Sequence, residues 1–476
     1  SISLLSQTLR EWTAEAAETF NAFAVCSDTK VGKNSEDISK HDLAIPATTD
    51  TASLKKGYDK LKSNGRRTII FSTYQSIDVV STAQKGGIPE FELIVCDEAH
   101  RTTGVTLADK EESHFVKVHE NKFIQAKKRI YMTATPRIFG DAAKSKADEA
   151  GAELCDMNDE TKYGPEFHRL GFGKAVNEGL LTDYKVLVLA VDEGVVDTKF
   201  QRQFANEDSE IPLEDIARII GCWNGLSKRF IGEEAEDEDK NPMKRAVAFA
   251  STIKYSQQIS SVFQAVVKEY ISKNLDKSAD LLDCELKHVD GKTNVLERNN
   301  KLDWLKEEPE ENSCRILSNA RCLSEGVDVP ALDAVLFLNP RKSQVDIVQS
   351  VGRIMRRAEG KKYGYVILPI GVPAGMPPEE ALQDNEKYKV VWQVLQALRA
   401  HDDRFDAEIN QIELNKKQSQ KIQVIGVGGG GEDGESGTEP TSQPLSFPNI
   451  DEWRDAIYAQ IVIKCGARLY CENWTN

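Results

Sequence analysis

The chain has 476 residues, of which 40% are hydrophobic and 29% charged, a length that allows roughly two to four globular domains. Its net charge of −15 excludes a wholly basic nucleic-acid coat while leaving room for a locally positive groove. No apolar run approaches the roughly 20 residues that cross a bilayer, and the start carries no signal-peptide pattern, so no membrane partner is expected and the expected compartment is the cytoplasm. Nine cysteines are scattered with no Cys-x-x-Cys pair, which argues for buried reduced thiols and against structural zinc.

The opening string SISLLSQTLREW is amphipathic and begins on Ser1, and the closing RLYCENWTN is equally abrupt. The chain therefore reads as a piece of something longer. Residues 1–170 alternate helix-like and strand-like segments. RRTIIFSTYQS, FELIVCDEAH and KKRIYMTATP each carry a short apolar run ending in polar residues, the pattern of buried parallel strands in an α/β fold. Such sheets bind ligands beyond the carboxyl ends of their strands. The glycine-broken stretch 163–184 reads as a connector. A second alternating set follows in YKVLVLAV, KRAVAFAS, SCRILSN, DAVLFLN and YGYVILPI. Residues 379–420 look largely helical, 426–444 form a Gly-rich flexible linker, and FPNIDEWRDAIY begins a further helical module.

Four strings carry chemistry. In LIVCDEAH an apolar strand delivers Asp97 and Glu98 to its exposed end. Asp97 suits Mg²⁺, which keeps most of its water and takes few carboxylates, and Glu98 suits a base for the attacking water. Alone, Asp-Glu-Ala-His also occurs in solvated turns. YMTATP offers the hydroxyls of Thr133 and Thr135 at the end of the next strand; alone, this is an ordinary strand end. SEGVDVP sets Gly326 and Asp328 where a ribose or phosphate contact would fit, although many turns look the same. QSVGRIMRR follows Gln-x-x-Gly-Arg-x-x-Arg, and helical spacing would put Gln349, Arg353 and Arg356 on one face. Residues 341–362 carry seven basic residues against two acidic ones. The acidic GEEAEDEDK at 232–240 reads as a solvated loop. No Gly-x-x-x-x-Gly-Lys-Ser/Thr loop is present: the one Gly-Lys-Thr, Gly291-Lys292-Thr293, has Leu286 where the first glycine belongs.

Taken in order, SISLLSQTLREW, FSTYQS, DEAHR, TATP, AVAFAST, SNARCLSEGVDVP and QSVGRIMRR resemble a superfamily 2 helicase core of the DEAH type over about residues 1–370. Thr-Ala-Thr and Gln-Ser-Val-Gly-Arg-Ile-Met-Arg differ from the Ser-Ala-Thr and Gln-Arg-x-Gly-Arg-x-Gly-Arg of DEAH RNA helicases. The likeness is closer to Type ISP restriction–modification enzymes, single polypeptides that join nuclease, motor, helical coupler and methyltransferase. The stretches 163–193 and VVWQVLQALRAHDDRF carry that likeness.

The resemblance implies two RecA-like α/β lobes closing on ATP and Mg²⁺. Lobe 1 would be 1–170, lacking its first strand and a phosphate loop that lies upstream. A connector at 171–184 would lead to lobe 2 with a helical extension at 185–425, then the linker 426–444 and the start of a coupler at 445–476. It implies Asp97 and Glu98 at the metal, and Arg353 and Arg356 as arginine fingers. Gln349, Gly326 and Asp328 would stand at the nucleotide, with His100, Thr133 and Thr135 as coupling residues. Nucleic-acid contacts would fall on Ser3, Gln7, Thr73, Tyr74, Gln75, Ser251, Thr252, Asn319 and Arg321, donors suited to phosphate oxygens and to sequence-blind tracking. Tyr74 suits either base stacking or a core position. The expected activity is ATP-driven translocation on double-stranded DNA, with nuclease and methyltransferase domains covalently linked. The rivals are a stand-alone strand-separating helicase and a nucleic-acid clamp with an inactive nucleotide site.

Overall fold

The computed structural model describes residues 2–26, 47–107, 114–139, 152–195, 211–228, 241–274, 281–291, 293–319, 332–339, 343–373, 376–384, 387–415, 421–427 and 450–465, with isolated positions between them. The described residues fall into two compact units, one within Ser1–Arg169 and the other within Leu170–Arg468. Both are α/β. Among the described residues no helix is long and apolar enough to cross a membrane.

The first unit opens with α1 (Ile2–Glu15), followed by β1 (Asn21–Val25), β2 (Ala47–Thr48), α2 (Thr51–Leu61), β3 (Thr68–Ser72) and α3 (Ile77–Lys85). Then come β4 (Ile94–Cys96), β5 (Gly104–Leu107), β6 (Arg129–Tyr131), β7 (Ala152–Cys155) and α4 (Glu160–Tyr163). Leu5 and Leu9 of α1 stand one helical turn apart and pack with Ala24, Cys26 and Phe71, as side chains at i and i+4 share a face. Asp50 starts α2 by accepting from the amides of Ala52 and Ser53, which satisfies donors that a helix leaves open. Strands β2, β1 and β3 form a parallel sheet, β4 and β6 a parallel pair, and β5 and β7 an antiparallel pair.

Among the described residues, β4 and β6 pack on one face in the core of this unit. Cys96 lies in a cluster with Val25, Ile77, Val80 and Ile124. On the other face Val95 and Met132 are exposed, Met132 standing two residues beyond Ile130, the register partner of Val95.

The second unit contains α5 (Phe172–Asn177), β8 (Asp183–Asp192), α6 (Leu213–Ser227), β9 (Arg245–Phe249), α7 (Ile253–Asn274), β10 (Asp283–Val289), α8 (Val295–Lys306) and β11 (Ser313–Asn319). It continues with β12 (Ala334–Phe337), α9 (Gln344–Ile354), β13 (Tyr363–Val372), α10 (Pro378–Ala381), α11 (Lys389–His401), α12 (Asp403–Asn415), β14 (Ile422–Val427) and α13 (Ile450–Cys465). Its seven strands run parallel in the order β10-β11-β9-β12-β13-β8-β14.

Strand alternation accounts for its two cores. Tyr184, Val186, Val188 and Ala190 of β8 face one apolar cluster, while Leu187, Leu189 and Val191 face the other. A strand buried on both faces has no need of polar alternation. Each large apolar side chain so buried contributes about 1.5–3 kcal/mol.

The five apolar runs expected in this half are β8, β9, β11, β12 and β13. Two strands escape that pattern. β10, DCELKHV, shows solvent-facing polar residues at an edge, and β14 lies where a linker was expected to begin. Gly426 and Val427 finish β14, whose partner is β8; the rest of the Gly-rich stretch, 428–449, lies outside the described residues, as does the acidic run. Phe172, Val176 and Leu181 of the expected connector pack on the lobe core. α13, where the start of a coupler was expected, packs within this unit. Trp453, Ile457, Tyr458 and Ile461 enter the same apolar cluster as α11 and α12, and the Tyr458 hydroxyl donates to the Ile422 carbonyl at 2.7 Å.

Candidate active site

The parallel pair β4–β6 sets two strand ends side by side. Its pairing continues past both strands: the Met132 amide donates to the Cys96 carbonyl and the Ala99 amide to the Met132 carbonyl, each at 2.9 Å. Asp97-Glu98 and Thr133 therefore emerge together. Asp97 is exposed, and one of its carboxylate oxygens accepts from the Glu98 amide at 2.9 Å. Glu98 itself has φ 52° and ψ 44°. A left-handed non-glycine residue costs about 1–2 kcal/mol, and such strain gathers at functional sites.

The Glu98 carboxylate reaches His100 Nδ1 at 3.3 Å, and the same nitrogen lies 3.0 Å from Thr133 Oγ1. Thr133 Oγ1 also accepts from the Thr135 amide at 3.1 Å. His100 thus ties the acidic turn to the end of β6. Thr135 is buried, and its hydroxyl has no partner among the described residues.

Two further links hold this turn. The Tyr74 hydroxyl donates to the Asp97 carbonyl at 2.8 Å, with its ring against Phe115. Burial raises the pKa of this phenol well above its ordinary value, which keeps it a donor. His119 sits behind the turn, its Nε2 3.1 Å from the Thr102 carbonyl and its Nδ1 2.9 Å from the Tyr131 hydroxyl. A carbonyl only accepts, so Nε2 carries the proton and Nδ1 accepts from Tyr131. Burial lowers the His119 pKa and favours this neutral form. Burial also pushes the Cys96 thiol up to about 12, leaving it a packing residue.

Magnesium takes one or two protein carboxylates and completes its shell with water and phosphate oxygens. An exposed Asp97 fixed by a backbone amide at a strand end fits that role. No cluster of three or more metal-ligating side chains stands anywhere among the described residues.

In the second unit α9 buries Ile347, Val348, Val351 and Ile354 and leaves Gln349 and Arg353 partly exposed. Arg353 in the last turn also complements the negative end of the helix dipole. The expectation of one shared helical face is corrected for Arg356. The helix ends at Ile354 with Met355 as its cap, and the Arg356 amide turns back to the Arg353 carbonyl at 3.3 Å. The Arg356 carbonyl accepts from Lys361 Nζ at 3.0 Å, and that ammonium also donates to Leu332 at 2.6 Å. Gly326, Asp328 and Arg321 lie outside the described residues.

The nucleic-acid candidates divide. Ser3 is in α1, its side chain outside the described set, and Gln7 is partly buried and donates to Glu11 at 2.9 Å. Thr73 hydrogen-bonds Ser76 at 3.1 Å, and Gln75 is exposed. Ser251 and Thr252 are exposed at the carboxyl end of β9, where Thr252 Oγ1 caps α7 by accepting from the Tyr255 amide at 3.1 Å. Two candidates are turned inward. Asn319 is fully buried and donates to the Ala248 carbonyl at 3.3 Å, so its side chain braces β9 and cannot meet a phosphate. Tyr74 is turned inward onto Asp97 and Phe115, so base stacking gives way to a packing position. Sequence reasoning gave no role to His119 and counted Lys361 only as one charge of a basic stretch; the partners of both are fixed by the tertiary fold.

Residues 1–138 match the family "Type III restriction enzyme, res subunit", and residues 230–358 match "Helicase conserved C-terminal domain". A probable helicase of African swine fever virus (isolate Pig/Kenya/KEN-50/1950) is 25% identical over 405 residues, covering 85% of this chain and 38% of the relative. The structure of LlaBIII, an ATP-dependent Type ISP restriction–modification enzyme bound to DNA, matches 100% of this chain and 30% of its own, with 42% identity and a TM-score of 0.78. A nuclease-deletion mutant of the Type ISP enzyme LlaGI, in complex with a DNA substrate mimic, matches 100% of this chain and 27% of its own, with 34% identity and a TM-score of 0.60. The chain thus spans about a third of the length of these relatives. With two parallel-sheet lobes of the RecA-like kind, it carries a superfamily 2 helicase core similar to the motors of Type ISP restriction–modification enzymes.

Proposed function

We propose that the chain is the ATP-driven motor of a restriction–modification enzyme and moves along duplex DNA. The observation that carries this reading is the acidic turn: an exposed Asp97 and a left-handed Glu98 tied through His100 to Thr133. The likeness to a Type ISP restriction–modification enzyme bound to DNA supports the choice of DNA, and the likeness to a nuclease-deletion mutant of another supports a linked nuclease.

In this reading Asp97 would hold Mg²⁺, and Glu98 orients and deprotonates the attacking water. Arg353 and Arg356 neutralise charge on the transferred phosphoryl group, and Gln349, Gly326 and Asp328 hold the nucleotide. Catalysis of phosphoryl transfer is mostly positioning and charge stabilisation, so residues on rigid strand and helix ends suit it. Thr73, Gln75, Ser251 and Thr252 track the DNA backbone.

In this reading the nucleotide also needs a phosphate-holding loop, and these 476 residues contain no Gly-x-x-x-x-Gly-Lys-Ser/Thr string.

The test is phosphate release from the full-length protein with and without duplex DNA, alongside displacement of a third strand from a triplex. DNA-stimulated release with displacement is expected. Strand separation without triplex displacement would favour a stand-alone helicase, and release insensitive to DNA would overturn the motor reading.

A further inference from the structure

The Asp97 carbonyl and the Glu98 amide belong to one peptide group, and the structure clamps it at both ends. The oxygen accepts from the Tyr74 hydroxyl at 2.8 Å. The N–H donates to the Asp97 carboxylate at 2.9 Å. Rotation of this plane sets the left-handed φ of 52° at Glu98, and so the direction in which the Glu98 carboxylate leaves the chain. The same plane fixes which Asp97 oxygen is engaged by the backbone.

Tyr74 itself is part of a short, braced turn. The Thr73 amide donates to Val25 at the end of β1, the Ser76 amide returns to the Thr73 carbonyl, and the Thr73 hydroxyl bonds that of Ser76. Next to Tyr74, Gln75 is exposed. One residue of the turn therefore faces solvent while its neighbour holds the peptide between the two carboxylates. The Tyr74 ring packs on Phe115 with centroids 5.5 Å apart, so a shift of the turn is passed to the hydroxyl and not absorbed by a loose side chain.

We propose that Tyr74 is a positioning residue that transmits nucleic-acid contact at the Thr73–Ser76 turn to Asp97 and Glu98. This rests on the motor reading above. A phosphate oxygen drawn to Gln75 or Thr73 moves the turn, the Tyr74 hydroxyl turns the 97–98 peptide, and both carboxylates are re-aimed together. His100 meets the Glu98 carboxylate itself, at 3.3 Å, and Thr133 at 3.0 Å.

Tyr74→Phe in the full-length protein tests the link, because it deletes one oxygen and keeps the ring on Phe115. Phosphate release is measured with and without saturating duplex DNA, together with DNA affinity and the KM for ATP. The ratio of stimulated to basal kcat should fall roughly fivefold, the rate equivalent of one hydrogen bond. DNA affinity and KM should stay within about twofold, a change under half a kcal/mol by the same arithmetic. A ratio equal to wild type overturns the link, as does an equal loss of basal and stimulated rates. A parallel loss of DNA affinity would make Tyr74 a direct contact and overturn it too. A wild type that DNA does not stimulate overturns the motor reading, and the link falls with it.

Discussion

His100 Nδ1 lies 3.0 Å from Thr133 Oγ1 and 3.3 Å from the Glu98 carboxylate, so one imidazole nitrogen serves both the acidic turn and the end of the neighbouring strand. A change at either strand end is felt at the other without any movement of the sheet between them. The following predictions use the full-length protein unless stated.

Glu98→Gln should retain ATP binding and lower turnover by roughly 10²–10⁴, the usual contribution of a positioned general base. The amide keeps the side chain's shape and its reach to His100 but takes no proton from water. Nucleotide affinity and steady-state hydrolysis are the measurements, and a variant that turns over normally would remove Glu98 from the role of base.

Arg353→Ala and Arg356→Ala should each lower hydrolysis, by as much as about 10³–10⁵ for a residue acting as an arginine finger, with far weaker effects on DNA affinity. The two should differ. Arg353 is held in the last turn of α9, whereas Arg356 follows the helix end and depends on the Lys361 contact for its backbone position. Comparing kcat with the dissociation constant for DNA separates a catalytic from a DNA-binding role; collapse of DNA binding with intact hydrolysis would assign these arginines to the groove.

Burial lowers the Lys361 pKa to about 8, against the opposing pull of Asp333. Between that value and the ordinary lysine range the unfolded chain binds more protons than the folded one, so stability rises with pH across this window and is flat below it. The neutral amine still has two N–H groups for the Leu332 and Arg356 carbonyls. Relative to Lys361→Met, which cannot titrate, this chain should gain on the order of 2 kcal/mol between about pH 8 and 10.5. Urea denaturation of both proteins across that range gives the difference; parallel curves would show that Lys361 titrates normally.

Trp453→Ala should destabilise the second unit by about 3–5 kcal/mol, the cost of removing a buried tryptophan side chain. Trp453 is buried and shares an apolar cluster with Val391, Leu395 and Ile422. The shift is read in the denaturation midpoint of this chain. If α13 were an independent module, that midpoint would not move.

Much of the architecture was legible locally. Short apolar runs such as IIF, LIV and RIY form parallel strands, and these runs lead to Thr73, Asp97 and Thr133 at their carboxyl ends. The strand leading to Asp97 and a helix through Arg353 were readable from their spacing, while Arg356 falls beyond the helix end. β10 and β14 were not, because an edge strand keeps polar residues and a strand ending in glycines looks like the start of a linker.

The sequence by itself determined the α/β class, the order of the motifs and the residues at each strand end, since all three depend on side-chain periodicity over a few positions. Only the tertiary structure decided what those residues touch. Asn319 has a phosphate donor's chemistry, yet it is buried against Ala248 because β9 lies beside β11. Arg356 fits a helical face by spacing, yet α9 stops at Ile354 and Lys361 takes hold of the chain beyond it. Tyr74 and Asp97 stand 23 residues apart, and no local pattern records that the hydroxyl of one meets the carbonyl of the other. Periodicity over a few residues fixes which face of an element is apolar; which neighbour then covers that face, and which hydrogen bonds close across it, depends on segments far apart in the chain being packed together.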